Sequence, residues 1–203
     1  MHDSSLNSIE WNFPQPRRGW LGLWDRFIGP GATPAEVRLQ TAIPLLAAVL
    51  APIASWQQSV DWRWYHYLIS AVLAFDIVGG VITNATSSAK RWFHRRGQGV
   101  WHHMGFVAFH LVHLLLVAIL FMAGDLSWVL LPGGYLLLSA AIIVTRPQYL
   151  QRPVALTTYV GALVLVIYGP PHPQGLAWFL PLFFFKLLVS HLPREEPYRP
   201  GYL

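Results

Sequence analysis

Three properties of this sequence predict an all-α integral membrane protein with about six transmembrane helices. Of its 203 residues 54% are hydrophobic and 11% charged, with a mean hydropathy of +0.41, too few polar side chains to coat a water-soluble globule. The apolar residues gather in blocks of roughly 20, the length a helix needs to cross a bilayer. Lysine and arginine collect in alternate gaps between those blocks, as they do in chains that cross repeatedly.

The elements follow in order. Trp20, Leu23, Trp24, Phe27 and Ile28 recur at helical spacing with Asp25 and Arg26 on the other side, predicting an N-terminal amphipathic helix that lies in the membrane interface. Thr33-Pro34-Ala35-Glu36 is a capping box with proline at the first helical position, so the first span begins there. Spans are expected at about 35–56, 65–83, 100–123, 126–145, 154–168 and 176–192. The organisation expected is a cytoplasmic segment with the interfacial helix (1–33), one six-helix domain (34–192) and a cytoplasmic tail (193–203). Residues 1–19 have no apolar core of the kind a cleavable signal peptide needs.

Pro44 and Pro52 in the first span, Pro132 in the fourth and Pro181 in the sixth are expected to kink helices or open room for a cavity. Pro170-Pro171-His172-Pro173 reads as an external turn. Trp56, Trp62, Trp64, Trp92, Trp101 and Trp128 fall at span ends, where interfacial anchors sit.

Charge placement orients the chain. Arg17, Arg18, Arg26 and Arg38 precede or open the first span; Lys90, Arg91, Arg95 and Arg96 fill the second loop, Arg146 and Arg152 the fourth, and Arg194 and Arg199 the tail. The odd-numbered loops hold only Arg63. Both termini are therefore expected on the cytoplasmic side of a bacterial-type inner membrane. The net charge of +5 reports topology and contact with anionic lipid, not nucleic acid. Expected partners are membrane lipids, with other membrane subunits or further copies of the chain.

Absence of cysteine excludes disulfides, thiolate metal sites and thiol catalysis. The chemistry-bearing residues lie instead between Asp76 and His113, where ionisable groups are costly inside a membrane. At about 100° per residue, Asp76, Gly80, Thr83 and Ser87 form one stripe on the second span, with Asn84 and His66 at its border. On the third span His102, His103, His110 and His113 share an arc of roughly 100°. A rise of about 1.5 Å per residue places Asp76 level with His110 and His113 near the midplane, and His102, His103, Asn84 and His94 one to two turns nearer the cytoplasm. The sixth span adds Lys186, Ser190 and His191.

Histidines three residues apart, joined by a neighbour's carboxylate, suit iron, zinc or copper. The metal ligands expected are Asp76, His102, His103, His110 and His113, with Asp76, His110, His113 and Lys186 as the catalytic group. Such a site fits a metal-dependent membrane oxidoreductase or hydrolase acting on a lipid, isoprenoid or other apolar substrate. Asn84, Thr86, Arg95 and Arg96 are expected to hold a lipid phosphate. The separated His-x-x-x-His and His-x-x-His-His boxes of membrane desaturases and hydroxylases are absent, and no family is assigned. Two alternatives stay open. One is an electron-transfer or quinone-binding subunit with b-type haem on His103 and His191. The other is a non-catalytic subunit or proton path, in which the histidines bond across helices and Lys186 neutralises Asp76.

Overall fold

Proline at N1 and the reciprocal Thr33/Glu36 capping box start the first long helix where expected. Thr33 N–H donates to Glu36 Oε2 (2.7 Å), and Glu36 N–H donates to Thr33 Oγ1 (3.2 Å). The computed structural model describes residues 7–169 and 171–200. Residues 1–6 and 201–203 of the expected terminal segments, and Pro170 of the expected turn, lie outside the described residues.

Helix α1 (Gly19–Ile28) precedes α2 (Pro34–Gln57), α3 (Trp64–Ala85) and a short α4 (Ser87–Phe93). The third apolar block is α5 (Val100–Phe109) and α6 (Leu111–Phe121), interrupted at His110. A 3-10 turn (Leu126–Val129) leads into α7 (Leu130–Val144), and α8 (Gln148–Tyr168) follows. Last comes α9 (Phe179–Phe184), which continues as a π-helix over Phe185–His191. Two short strands, β1 (Asn7–Ile9) and β2 (Tyr198–Pro200), pair antiparallel and tie the two ends of the chain together. Apart from that pair the described elements are helical, and among the described residues five helical segments are long and apolar enough to cross a membrane: α2, α3, α5 with α6, the 3-10 turn with α7, and α8.

Helix α1 turns Trp20, Leu21, Leu23 and Phe27 outward, with Trp20 86% exposed, while Ile28 is buried. An apolar face left open on a short helix is what a membrane interface covers. Asp25 is not on a free polar face. It accepts from the Arg17 backbone N–H (2.8 Å) and from Arg17 Nη2 (2.7 Å), which pins the preceding chain to the helix.

The last helix is the central post. Phe179, Phe183, Phe184, Leu187 and Leu188 are fully enclosed, and Leu73 and Ile77 of α3, Leu136 and Ile143 of α7 and Ala155 and Ala162 of α8 join them in one core. Helices α2 and α8 present leucine, valine and isoleucine outward along their lengths, which lipid tolerates without cost. Irregular π backbone is tolerated at membrane depth where protein surrounds it, and here it does.

The structure departs from expectation in several places. α8 begins at Gln148, six residues before the expected start, and carries Pro153 inside it. The second loop is not an extended basic loop, because α4 folds inward and buries Lys90 and Arg91. Trp128, at the start of the fourth apolar block as expected, is buried against the protein, its Nε1–H donating to the Pro171 carbonyl (3.0 Å).

Candidate functional site: an intramembrane polar seam

The seam runs between α3, α5, α6 and the last helix. Its upper layer is Asp76, His113, Lys186 and His110. Asp76 Oδ2 accepts from Lys186 Nζ at 2.6 Å and lies 2.9 Å from His113 Nε2. Lys186 reaches it by crossing α3 at Gly80, where a β-carbon would fall 2.7 Å from Lys186 Cδ. Glycine is what lets a lysine stem pass that close to a helix backbone.

Exposure differs among the three bonded groups. The Lys186 side chain is 3% exposed and that of His113 14%, whereas Asp76 is 40% exposed. The carboxylate is thus the open member of an otherwise covered group. His113 Nδ1 lies 3.2 Å from the His110 carbonyl, so both of its ring nitrogens face oxygen atoms. His110 does not bond Asp76. It stacks on His113 (5.1 Å, 6°), and its Nδ1–H turns back to the Phe106 carbonyl (2.8 Å), which also accepts from the His110 backbone N–H (3.3 Å).

The lower layer is built on His191. Asn84 Nδ2–H donates to the Gly80 carbonyl (2.8 Å), which leaves Asn84 Oδ1 to accept from His191 Nδ1–H (3.1 Å). His191 Nε2 then accepts from His103 Nδ1–H (3.3 Å), and His103 Nε2 is left as an acceptor. His94 stacks on His103 (4.5 Å) and donates Nε2–H to the His191 carbonyl (2.9 Å). Phe106 separates the layers, stacked on His191 at 4.0 Å and against His110 at 4.4 Å. A haem iron between His103 and His191 would require these rings to part.

Lys90 caps the last helix from below. Its Nζ donates to the Ser190 (2.7 Å) and Pro193 (2.8 Å) carbonyls, a cation at a helix C-terminus. Burial pulls its ammonium down to about 8, and Glu195 opposes that shift. Burial also holds the His94 imidazole down at about 3, reinforced by Lys90, His103 and Arg194.

The remaining expected residues lie elsewhere. His102 is exposed in the first turn of α5, its Nδ1 accepting from Gly99 N–H (3.4 Å), and does not reach the seam. Thr86 is spent as the N-cap of α4, donating to the Thr83 carbonyl (2.7 Å) and accepting from Ala89 N–H. Arg95 and Arg96 border a cavity of about 860 Å³ at the α4 end of the bundle that His94 and His103 also line. Among the described residues no three histidine, aspartate or glutamate side chains converge as a metal cluster.

Lys90 and Arg194 are not marked out by the sequence, whereas His94 joins His103 and Asn84 as expected. His94 sits eight residues from the α5 histidines with no shared periodicity, so only the inward fold of α4 brings it there. Fold and seam together define the class: a multi-pass helical membrane chain with a buried acid–base cluster. Compared with known protein families, curated proteins and solved structures, the chain matches none.

Proposed function

We propose that this chain is a six-span bacterial-type inner-membrane protein, with both termini cytoplasmic, whose Asp76, His113 and Lys186 form an acid–base centre acting on an apolar substrate that arrives through the bilayer. The β1–β2 pairing supports an even number of crossings, and the lysine and arginine placement supports the orientation. Fusions of a reporter after Gly97 and Gln148 should report cytoplasm, and after Gly124 the opposite side.

One observation carries the chemical reading. Both bonds to Asp76 go to Oδ2, and its side chain is exposed while its partners are covered, so Oδ1 is the oxygen available to an incoming group. In that role Asp76 exchanges the substrate proton, Lys186 holds the carboxylate charge in place, and His113 is the adjoining proton donor with His110 stacked behind it. An apolar carbodiimide tests lateral access. It should modify Asp76 in membranes ahead of a water-soluble carbodiimide, and labelling by the water-soluble reagent alone would remove the reading.

A second reading rests on the lower layer. The 3.3 Å between His103 Nδ1 and His191 Nε2 matches two neighbouring ligands on a tetrahedral zinc with bonds of about 2.0–2.1 Å. This supports a transition metal held by that pair, completed by ligands from outside the seam. Elemental analysis of purified wild type and His103→Ala decides it: equal metal content in both, or none in either, ends the metal reading.

A further inference from the structure

We propose that the cytoplasmic-end cavity bordered by His94 and His103 binds a phosphate with a hydroxyl close by, the chemistry of a glycerol-phosphate headgroup. The site is separate from the Asp76 centre and stands without it.

Charge is the first argument. Arg95, Arg96 and Arg194 line the cavity and no aspartate or glutamate does. Three guanidinium groups without an internal anion favour an anionic guest, and their forked donors fit phosphate oxygens two at a time.

Preorganisation is the second. The Arg95 guanidinium lies 3.8 Å over the Trp92 ring, and that of Arg194 lies 4.6 Å over Trp11. Trp92 is itself braced edge-on by Phe13 at 5.2 Å. Side chains already held on aromatic faces lose less freedom when a ligand arrives.

The cavity floor supplies selectivity. His103 spends its Nδ1–H on His191, and His94 spends its Nε2–H on the His191 carbonyl, so each ring retains an acceptor nitrogen. Acceptors repel a bare phosphate oxygen but take a hydroxyl, so the ligand that satisfies arginine walls and an imidazole floor carries both groups. At about 860 Å³ the cavity is of ligand size. Its walls continue from the basic segment and Trp92, at the level where anionic headgroups lie in the proposed topology.

The test uses the full chain in nanodiscs or detergent, with short-chain phosphatidylglycerol, phosphatidylcholine of equal chain length, and glycerol 3-phosphate as probes. Phosphatidylglycerol should bind at least about tenfold tighter than phosphatidylcholine, and Arg95→Gln with Arg194→Gln should weaken it by about tenfold or more. Arg152→Gln, outside the cavity beside Glu195, should leave binding unchanged. Saturable binding of glycerol 3-phosphate with the same arginine dependence would name a free polyol phosphate as the source; phosphatidylglycerol alone would name the lipid. Equal binding of the two lipids, or wild-type affinity in the arginine variants, overturns the proposal. Should the double variant fail to fold, Arg96→Gln, on an exposed side chain, carries the same comparison.

Discussion

Gly80 and Lys186 are matched across the helix interface: the lysine stem occupies the space that a β-carbon at position 80 would fill. Lys186 is buried among fully enclosed neighbours, Leu187 and Leu188, so it has little room to retreat. Gly80→Ala should therefore lengthen the Lys186–Asp76 contact and destabilise the protein by about 1–3 kcal/mol, as overpacking does. Thermal unfolding in detergent measures it. A companion Lys186→Ala change should make the alanine at 80 nearly silent, and additive losses would refute the coupling.

The Lys186–Asp76 pair itself should be worth less intact than its single disruptions imply. Lys186→Met leaves a carboxylate without its cation inside a membrane, and Asp76→Asn leaves a buried ammonium. Each should cost toward the lower end of about 3–5 kcal/mol, because Asp76 is only partly covered. The Asp76→Asn, Lys186→Met double variant should recover much of that loss, read again as unfolding temperature. A double variant as unstable as the sum of the singles would show that the two groups do not compensate each other.

Much of this arrangement was legible from residue type and spacing. The Thr33/Glu36 box marks its helix start, and counting rise per residue from the second loop brings Asp76 to the depth of His113. What spacing does not carry is hydrogen-bond register. The break at His110 and the π turns that carry Lys186 and His191 depend on which carbonyl each N–H chooses, and that choice follows from packing around the last helix. The same limit explains His102, which shares the His113 side of an ideal helix yet is exposed while its neighbour His103 is buried, because the helix between His102 and His113 breaks at His110. Burial of Lys90 and Arg91 likewise comes from a tertiary joint, Ser88 N–H on Glu36 Oε1 (3.0 Å) and Ser88 Oγ–H on the Ile28 carbonyl (3.0 Å). No local pattern announces it.

Asn84 orders the lower layer by fixing which nitrogen of His191 carries the proton. Asn84→Leu removes the acceptor for a buried N–H and should cost about 1–3 kcal/mol. Nitrogen-15 spectra of labelled histidine should show the His191 tautomer distribution changing as well. An unchanged spectrum would mean that Asn84 merely fills space.

The outward face of α1 should sit in lipid. No cysteine is present, so single cysteines at Leu21 and Leu23 can carry spin labels without background. In vesicles both labels should be accessible to oxygen and shielded from an aqueous nickel reagent, and a label at Arg18 should show the reverse. Aqueous accessibility at all three positions would detach α1 from the membrane.

Stability should fall with acid through His94. Its imidazole is held down at about 3 by burial first and then by Lys90, His103 and Arg194, against about 6.5 in the unfolded chain. Between those values the unfolded state binds the extra proton, so unfolding is favoured progressively as pH drops below about 6.5, and the effect levels off near 3. The slope contributed by this one group is at most about 1.4 kcal/mol per pH unit. His94→Gln keeps a donor for the His191 carbonyl but has nothing to titrate, so its unfolding temperature should depend less steeply on pH across that window. His103 and His191 still titrate nearby, which is why the difference between variant and wild type is the quantity to measure. Parallel pH profiles for the two proteins would show that His94 is either solvated or already charged in the folded state.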